Sequence, residues 1–475
     1  MCPSDAYYEL MKPRPDLTTL TSEQKDELIL QLWLCVESLE AILLKNSSNS
    51  SKPPSSDGFK RKTKSRRESG KTNPGGQKGH PGSTLKRVAE PDEVLLHKPP
   101  SRCDECGGKL DLSQAVVQSE GRQVIDLPAV CVKVIDHRLQ SVRCNCGKMH
   151  EGSYPDAVTQ AVQYGASIKA AVVYLTQYQH VPMKRCTQLM KDLFGVDMSP
   201  ASVHAAIADT HASVAPIVKS LEESMLQAPV LHFDETGMRV GKKLHWMHSV
   251  STASAVIYHV HAKRGHKAIQ EFNLLPRYKG TAVHDGWPSY YRFNAIHALC
   301  NAHHLRELEF VFDTTQQQWA RDMMGLLLEI NRAVDASPEA MLPPATAAAY
   351  RTRYNAIVRQ GQQENPEQLS DTARDHKKGG IKQSVPFNLL RRLDKYADDV
   401  LRFMSNALVP FTNNLAERDI RMPKLKQKVS GCYRTLKGAQ AYCCIRSYLA
   451  TLQKRSKDVM KALIAVIAGR LPAAG

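Results

Sequence analysis

Three acidic residues, far apart in the chain, occur in settings that fit a metal-dependent active site. Asp234 follows the apolar run 230–233, and Asp285 follows the run 281–284 and precedes a glycine. Glu417 lies in a segment that is typical of a helix start. Mg²⁺ prefers carboxylate oxygens, and two carboxylates from separate strands with a third from a later helix can converge on a pair of these ions. Such a pair promotes in-line phosphoryl transfer on nucleic acid.

Neighbouring acidic residues compete for these roles. Glu235 stands next to Asp234, but successive side chains of a strand point to opposite faces, so we expect only one of the two in the site. Asp419 stands two residues after Glu417, and residues two apart on a helix do not share a face. We therefore assign the site to Asp234 and Glu417 rather than to these neighbours.

Two histidines follow a cysteine in the segment 300–306. His303 and His304 are each able to position a phosphate or to form part of the site, and packing or helix capping explains them equally well. Cys300 with His303 also resembles half of a metal site, but the sequence shows no second half.

A succession of strands and helices after residue 228 must position the three acids. Short apolar and β-branched runs predict strands at 230–234, 244–252, 255–262, 281–285 and 297–300. Helices are predicted at 266–275 and 303–312, and apolar segments at 389–404 and 442–452 are expected to pack beside them. This order fits an RNase H-like catalytic core over 228–465, and a polar stretch predicts a partly helical insertion at about 315–395.

Basic residues follow Glu417 on the same predicted helix. A solvated basic face is one explanation, but next to an acidic metal site we favour contacts with the DNA backbone. The residues assigned to these contacts are Arg418, Arg421 and Lys424.

The N-terminal region 1–45 contains one predicted amphipathic helix over 21–45. Thr21 and Gln24 form a capping box at its start. Apolar residues then recur at spacings of three and four. The helix either forms a short coiled coil, which implies a dimer, or packs on its own domain.

The region 46–99 is predicted to be a basic, flexible linker or arm. Between residues 52 and 87 it holds eleven Lys or Arg against two acidic residues, and it has too little apolar content to bury a core. We expect it to lie along DNA phosphates, with a solvated linker as the alternative. The predicted contacts are Lys60, Arg61, Lys62, Lys64, Arg66, Arg67 and Lys71.

Two close cysteine pairs mark the region 100–157 as a zinc-finger-like domain. Cys103 and Cys106 have the spacing CxxC, Cys144 and Cys146 have the tighter spacing CxC, and a glycine follows each pair. Four thiolates around a tetrahedral Zn²⁺ would hold a small ribbon together.

Strands are predicted between the two pairs, at 122–127 and 132–139. His137, His150 or Cys131 is able to replace one of the four zinc ligands. Reduced thiols without a metal are the alternative.

The region 158–227 is predicted to be helical and to bind DNA. A helix over 182–194, a turn at Gly195 and a second helix over 200–211 outline a helix-turn-helix. Ser199 is the expected cap of the second helix. Plain packing within a helical bundle is the alternative.

Composition is that of a globular protein with a strongly basic surface. The 475 residues suffice for two to four domains, and 42% are hydrophobic and 23% charged. The net charge of +17 favours a polyanionic partner. Neither a membrane-spanning run nor a secretory signal is visible. We therefore expect a cytoplasmic protein whose twelve cysteines are thiols or metal ligands rather than disulfides.

Seven short stretches, in series along residues 25–465, together resemble the IS66 family of insertion-sequence transposases. These stretches are 49–57, 75–80, 103–107, 234–237, 284–286, 300–306 and 413–418. The second cysteine pair departs from the family pattern, which usually has CxxC there.

The resemblance implies a DDE transposase that binds the ends of its element and catalyses Mg²⁺- or Mn²⁺-dependent DNA cleavage and strand transfer. Asp234, Asp285 and Glu417 correspond by position to the family's catalytic, metal-holding acids. The implied partners are the terminal inverted repeats, target DNA, further copies of the chain and accessory proteins of the element, in the nucleoid of a bacterium. A non-catalytic DNA-binding regulator and a nuclease on the same core are the alternatives.

Overall fold

A computed structural model describes residues 19–44, 85–116, 122–127, 132–368 and 383–470. The chain divides into two compact units. One comprises Met1–Lys64, His137–Gln188 and Asp197–Gly475, and the other comprises Ser65–Asp136 and Leu189–Val196. No helix in the described ranges combines the length and apolar character that a membrane crossing requires.

The first helix, α1 (Ser22–Leu44), confirms the helix predicted at 21–45. Its capping box is present, because the Thr21 amide donates to Gln24 Oε1 (3.0 Å) and the Gln24 amide donates to Thr21 Oγ1 (3.3 Å). Trp33 is 64% exposed, so this side chain is not buried in the chain's own core.

The cysteine-rich region contains less regular structure than its sequence predicts. A short antiparallel hairpin joins β1 (Ser141–Arg143) to β2 (Met149–Glu151). The prediction of strands at 122–127 and 132–139 is wrong, since neither segment pairs with another strand among the described residues. Their β-branched side chains stay in solvent, so there is no buried face to favour pairing.

The next region is helical, as predicted. α2 (Ala166–Val173) continues into a π-helical turn at Tyr174–Tyr178 and is followed by α3 (Met183–Phe194) and α4 (Pro200–Met225). Gly195 takes a φ of +66° after α3, and Ser199 caps α4 by accepting from the Ser202 amide. α4 runs well past the predicted end at residue 211, because its apolar side chains remain buried as far as Met225.

A five-stranded mixed sheet forms the centre of the larger unit. Its strands are β3 (Val230–Val240), β4 (Lys243–Ser251), β5 (Val256–His261), β6 (Thr281–His284) and β7 (Ile296–Leu299). The spatial order is β5-β4-β3-β6-β7. β4 is antiparallel to both of its neighbours, β3 and β5, whereas β6 and β7 run parallel to β3.

Helices surround this sheet in two groups. The first group is α5 (His266–Phe272), α6 (Asn301–Thr315), α7 (Gln318–Ala336), α8 (Pro344–Glu364), α9 (Val385–Lys395) and α10 (Ala397–Leu401). The second group is α11 (Asn414–Ser430), α12 (Leu436–Lys454) and α13 (Val459–Ile467). The chain is thus a mixed α/β protein.

Two apolar clusters stabilise this arrangement. One joins β6 and β7 to helices α6 to α10 and includes Leu299, Trp319 and Leu390. The other joins β3 to β5 with α12 and includes Met247 and Tyr442. Asp234, inside β3, and Asp285, directly after β6, are therefore held by strands that are packed by helices.

Gly361, in α8, lies where the first cluster has no room for a side chain. A Cβ there would stand 2.6 Å from Leu390 Cδ2 and 2.9 Å from Trp319 Cδ2. We expect Gly361→Ala to lower the free energy of unfolding by about 1–3 kcal/mol through overpacking.

Gly325, in α7, supplies the matched control, since a Cβ there would meet nothing within 4 Å. Gly325→Ala should raise the free energy of unfolding by roughly 0.5–1 kcal/mol, because alanine restricts the unfolded chain. Urea unfolding of both variants is the measurement, and equal effects of the two substitutions would contradict the packing argument.

Candidate active site

The register of the central sheet brings Asp234 and Asp285 to adjacent positions. β3 and β6 pair in parallel, with His232 opposite Val283. If this register is continued by two residues, Asp234 stands beside Asp285, which follows the last residue of β6. The Asp285 carboxylate accepts a hydrogen bond from the Trp287 amide (2.9 Å), at the turn where the chain leaves the sheet.

Glu417 reaches the same region from the first turn of α11. Asn413, the residue before this helix, is 2% exposed and fastens the helix to β3. Its Nδ2 donates to the Phe233 carbonyl (2.8 Å), and its Oδ1 lies 2.9 Å from His232 Nδ1. The Glu417 amide in turn donates to the Asn413 carbonyl (3.2 Å). One buried amide side chain thereby ties the helix of Glu417 to the strand of Asp234.

The neighbouring acids act electrostatically on Asp234. Burial is the main cause that raises the pKa of Asp234 well above its usual range, and the charges of Glu235, Asp285 and Glu417 raise it further. Glu417 Oε1 is buried and has no hydrogen-bond partner among the described residues. The three carboxylates offer the oxygen ligands that Mg²⁺ or Mn²⁺ takes, but among the described residues the group whose ligand atoms lie within 4.8 Å of one another is Cys300, His303 and Glu417, not the three acids.

Glu235 lies close to these acids, which contradicts the expectation that strand alternation keeps it away. Its carboxylate is 2.6 Å from Arg264 Nη2, and the hydroxyl of Tyr290 donates to it. The same Arg264 atom lies 3.9 Å from Asp285 Oδ2. The long side chain of the arginine spans both acids, so Glu235 is paired by Arg264 and Tyr290 and is left with less capacity to bind a metal.

Arg264 is itself held in place by aromatic rings. Its guanidinium carbon lies 4.2 Å from the Trp287 ring and 5.0 Å from the Trp246 ring, in the range of cation–π attraction. Its side chain is 36% exposed. A guanidinium that is fixed beside the acids and still open to solvent is suited to contact a phosphate.

The two histidines of α6 have different surroundings. His304 is 5% exposed, lies 3.0 Å from Asn301 Oδ1 through its Nδ1 atom, and has its pKa lowered to about 3 by burial. His303 faces the acids. Burial is the largest cause that lowers its pKa, Arg306 lowers it further, and the charges of Asp285 and Glu417 oppose the shift. The structure therefore places His303 at the site and His304 in the packing.

Asp419 is directed elsewhere, as its position two residues after Glu417 predicts. Its carboxylate pairs with Lys454 at 2.7 Å, and the Tyr258 hydroxyl donates to its carbonyl. This acid is therefore occupied on the other side of α11.

Basic residues of α11 border the site. Arg418 and Arg421 are exposed, and Lys424 is partly buried. Burial is the main cause that lowers the pKa of Lys424, and the charge of Asp234 raises it in opposition. The seven basic residues predicted to contact DNA from the arm, Lys60 to Lys71, lie outside the described residues.

Each cysteine pair occupies a tight turn of its own. In the first, the Gly107 amide donates to the Cys103 carbonyl (3.0 Å) and Gly107 has a φ of +68°. The backbone amide of Cys106 is the largest cause that lowers the pKa of the Cys103 thiol.

The second turn repeats this pattern despite its shorter spacing. The Gly147 amide donates to the Cys144 carbonyl (2.8 Å), and Gly147 has a φ of +89°. The Cys146 amide is the largest cause that lowers the pKa of the Cys144 thiol. Thiolate character of this kind favours metal binding.

Three residues that matter for the geometry were missed by reasoning from the sequence. Asn413, Arg264 and Tyr290 all act through contacts with residues far away in the chain. Only Asn413 carried a local signal, since it immediately precedes the helix of Glu417.

Comparison with known families gives two matches. Residues 161–441, more than half of the chain, match the model described as the Transposase IS66 family. Residues 12–86 match a family of unknown function, DUF6444. No curated protein matched the chain. The first match spans the sheet, both strands that carry the aspartates and the helix of Glu417. The chain therefore belongs to the IS66 family of transposases.

Proposed function

We propose that the protein is a DDE-type transposase, in which Asp234, Asp285 and Glu417 hold the divalent metal for DNA cleavage and strand transfer. The observation that carries this proposal is that two paired strands and one helix bring Asp285 and Glu417 near enough to Asp234 for their charges to raise its pKa beyond the effect of burial. The strand order, three antiparallel strands followed by two that run parallel to the first, supports an RNase H-like core.

The residues of the chain supply position and charge to this reaction. Mg²⁺ or Mn²⁺ bound by the three carboxylates would activate the attacking oxygen and stabilise the leaving oxygen. Because the pKa of Asp234 is raised, a cation competes with a proton for this carboxylate and binds more weakly as the pH falls. Arg264 and Lys424, which lie beside the acids, are the residues that would contact the phosphate backbone.

Binding to the element ends is assigned to basic and helical parts outside the acid cluster. These are the arm at residues 46–99, the helices α3 and α4, and the exposed arginines of α11. Phosphate contacts supply affinity that falls steeply with salt. We also propose that the protein acts as a homo-oligomer in the nucleoid of a bacterium, with accessory proteins of the element as further partners.

A structural Zn²⁺ held by Cys103, Cys106, Cys144 and Cys146 is proposed on the basis of the two cysteine turns. Replacing Cys103 and Cys106 together with serine should release one Zn²⁺ per chain, because two thiolate ligands are lost. Elemental analysis of the purified protein is the measurement, and Cys432→Ser, an exposed cysteine elsewhere, is the control. An unchanged zinc content would contradict this assignment.

A strand-transfer assay tests the proposed function. Purified protein is mixed with labelled element-end DNA and a circular target, with Mg²⁺, with Mn²⁺ or with EDTA. A transposase yields joined products that depend on the metal. Binding without cleavage would show a DNA-binding regulator, and cleavage without joining would show a nuclease on the same core.

A further inference from the structure

Cys300, His303 and Glu417 form a second group of metal-binding atoms at the edge of the acid cluster. Their candidate ligand atoms all lie within 4.8 Å of one another. We propose that this group binds a thiophilic divalent ion such as Zn²⁺, and that the bound ion withholds Glu417 from the Mg²⁺ site. The second part of this proposal rests on the proposed transposase function, whereas the first does not.

The geometry needs only a small adjustment to hold such an ion. Zn–S and Zn–N bonds of about 2.3 and 2.0 Å in a tetrahedral site put two ligand atoms roughly 3.5 Å apart. No two ligand atoms of this group are more than 4.8 Å apart. Each distance therefore exceeds the tetrahedral value by about 1.3 Å at most. Side-chain rotation of His303 and Glu417 on their separate helices is enough to close such a gap.

The backbone already presents these side chains to one another. Cys300 lies between the last residue of β7 and the first residue of α6. His303 follows in the first turn of α6, and its backbone amide donates to the Cys300 carbonyl (3.1 Å). Cys300 Sγ accepts a hydrogen bond from the backbone amide of Asn413 (3.1 Å), so the start of α11 lies against Cys300. Glu417 lies one turn further along α11 and completes the group that Cys300 and His303 begin.

Two of the three ligand residues have a buried polar atom without a hydrogen-bond partner among the described residues. These atoms are His303 Nδ1 and Glu417 Oε1. A buried polar atom without a partner costs about 1–3 kcal/mol. An ion between these atoms would satisfy both at once, while leaving a coordination position for water or a fourth ligand.

The types of the three donors select the metal. A sulfur and an imidazole nitrogen suit Zn²⁺ and Co²⁺, whereas Mg²⁺ takes oxygen ligands. The group Asp234, Asp285 and Glu417 offers oxygen alone. Glu417 belongs to both groups, so a soft ion on Cys300 and His303 and a hard ion on the aspartates would compete for it. Zn²⁺ should therefore inhibit the Mg²⁺-dependent reaction.

The test uses Co²⁺ as the probe, because cobalt bound to a thiolate absorbs light in the near ultraviolet. The measurement uses a full-length variant without the two cysteine pairs, in which serine replaces Cys103, Cys106, Cys144 and Cys146. We expect one equivalent of Co²⁺ to produce the thiolate band in this protein. Adding Cys300→Ser should abolish the band, and adding Cys443→Ser, which alters a buried cysteine in the apolar cluster of β3 to β5 with α12, should retain it.

Cys300→Ser preserves an acceptor for the Asn413 amide, so the substitution removes the sulfur while keeping the hydrogen bond. His303→Ala should weaken Co²⁺ binding by more than about 100-fold, since even outer partners of metal ligands are worth 10- to 100-fold. If the four-serine protein does not fold, the number of Co²⁺ ions bound per wild-type chain should fall by one with Cys300→Ser. A band or a stoichiometry that is the same with and without Cys300 would overturn the site.

A second measurement concerns the competition. Zn²⁺ is titrated into the Mg²⁺-dependent cleavage reaction, and each variant is compared with its own rate without Zn²⁺. Cys300→Ser should require at least about tenfold more Zn²⁺ for half-inhibition, as expected for the loss of a thiolate ligand. Equal inhibition of the wild type and of Cys300→Ser by Zn²⁺ would contradict the proposed competition for Glu417. Absence of cleavage by any form would count against the proposed function alone, because the cobalt measurement does not depend on it.

Discussion

Asp234→Ala is expected to lower the rate of cleavage of element-end DNA by at least about 10³-fold. A bound metal contributes several kcal/mol to transition-state stabilisation, and each 1.4 kcal/mol or so is a factor of ten in rate. Beyond the effect of burial, the charges of both Asp285 and Glu417 raise the pKa of Asp234, so its carboxylate interacts with both other acids. Its loss should disable the whole metal site rather than one contact.

Binding of the same DNA should persist in this variant, because the residues assigned to phosphate contacts are unchanged. Single-turnover cleavage and a mobility-shift assay, both at one salt concentration, separate the two properties. Asp335→Ala, which alters an exposed aspartate of α7, is the control and should cleave normally. Cleavage by Asp234→Ala at a rate near that of the control would refute the assignment of this residue.

Asn413→Ala is expected to reduce the free energy of unfolding by about 2–6 kcal/mol and to impair cleavage as well. The substitution removes hydrogen bonds to His232 and to the Phe233 carbonyl. Both former partners would remain buried, and each unsatisfied buried group costs about 1–3 kcal/mol. The start of α11 would also lose its attachment to β3, so Glu417 would no longer be held opposite Asp234.

Asn414→Ala is the matched control, since the next residue is also asparagine but is exposed. Its effect on stability should stay within about 0.5 kcal/mol. Urea unfolding and single-turnover cleavage are measured for both variants. Asn413→Asp serves if the alanine variant does not fold, because it keeps an acceptor for His232 but has no donor for Phe233. Equal stability losses at positions 413 and 414 would contradict the role given to Asn413.

Much of the sheet was predictable from the sequence because each strand carries its own signal. The strands that begin at Val230 and Thr281 are short apolar runs followed by an acid, and the structure confirms both. β3 nevertheless extends to Val240, six residues beyond its predicted end. Thr236, Met238 and Val240 are buried, so pairing with β4 and packing on α12 prolong the strand beyond the uniformly apolar run.

The site was predictable only in part, for a related reason. The positions of Asp234, Asp285 and Glu417 follow from local patterns, but the residues that orient them act across the fold. Asn413 joins two elements that are far apart in the chain, since its partner His232 lies 181 residues earlier. Arg264 reaches Glu235 from the segment between β5 and α5, 29 residues later. Cys300 and His303 likewise resembled half of a metal site until α11 placed Glu417 beside them.

Iron-directed cleavage of the polypeptide tests the central claim most directly. Fe²⁺ replaces Mg²⁺ on oxygen ligands, and with ascorbate and peroxide it generates radicals that cut the nearest backbone. Three separate cuts are predicted, close to residues 234, 285 and 417, and excess Mg²⁺ should suppress all three together. Cuts confined to one of these segments, or cuts elsewhere that ignore Mg²⁺, would show that the three acids do not share a metal.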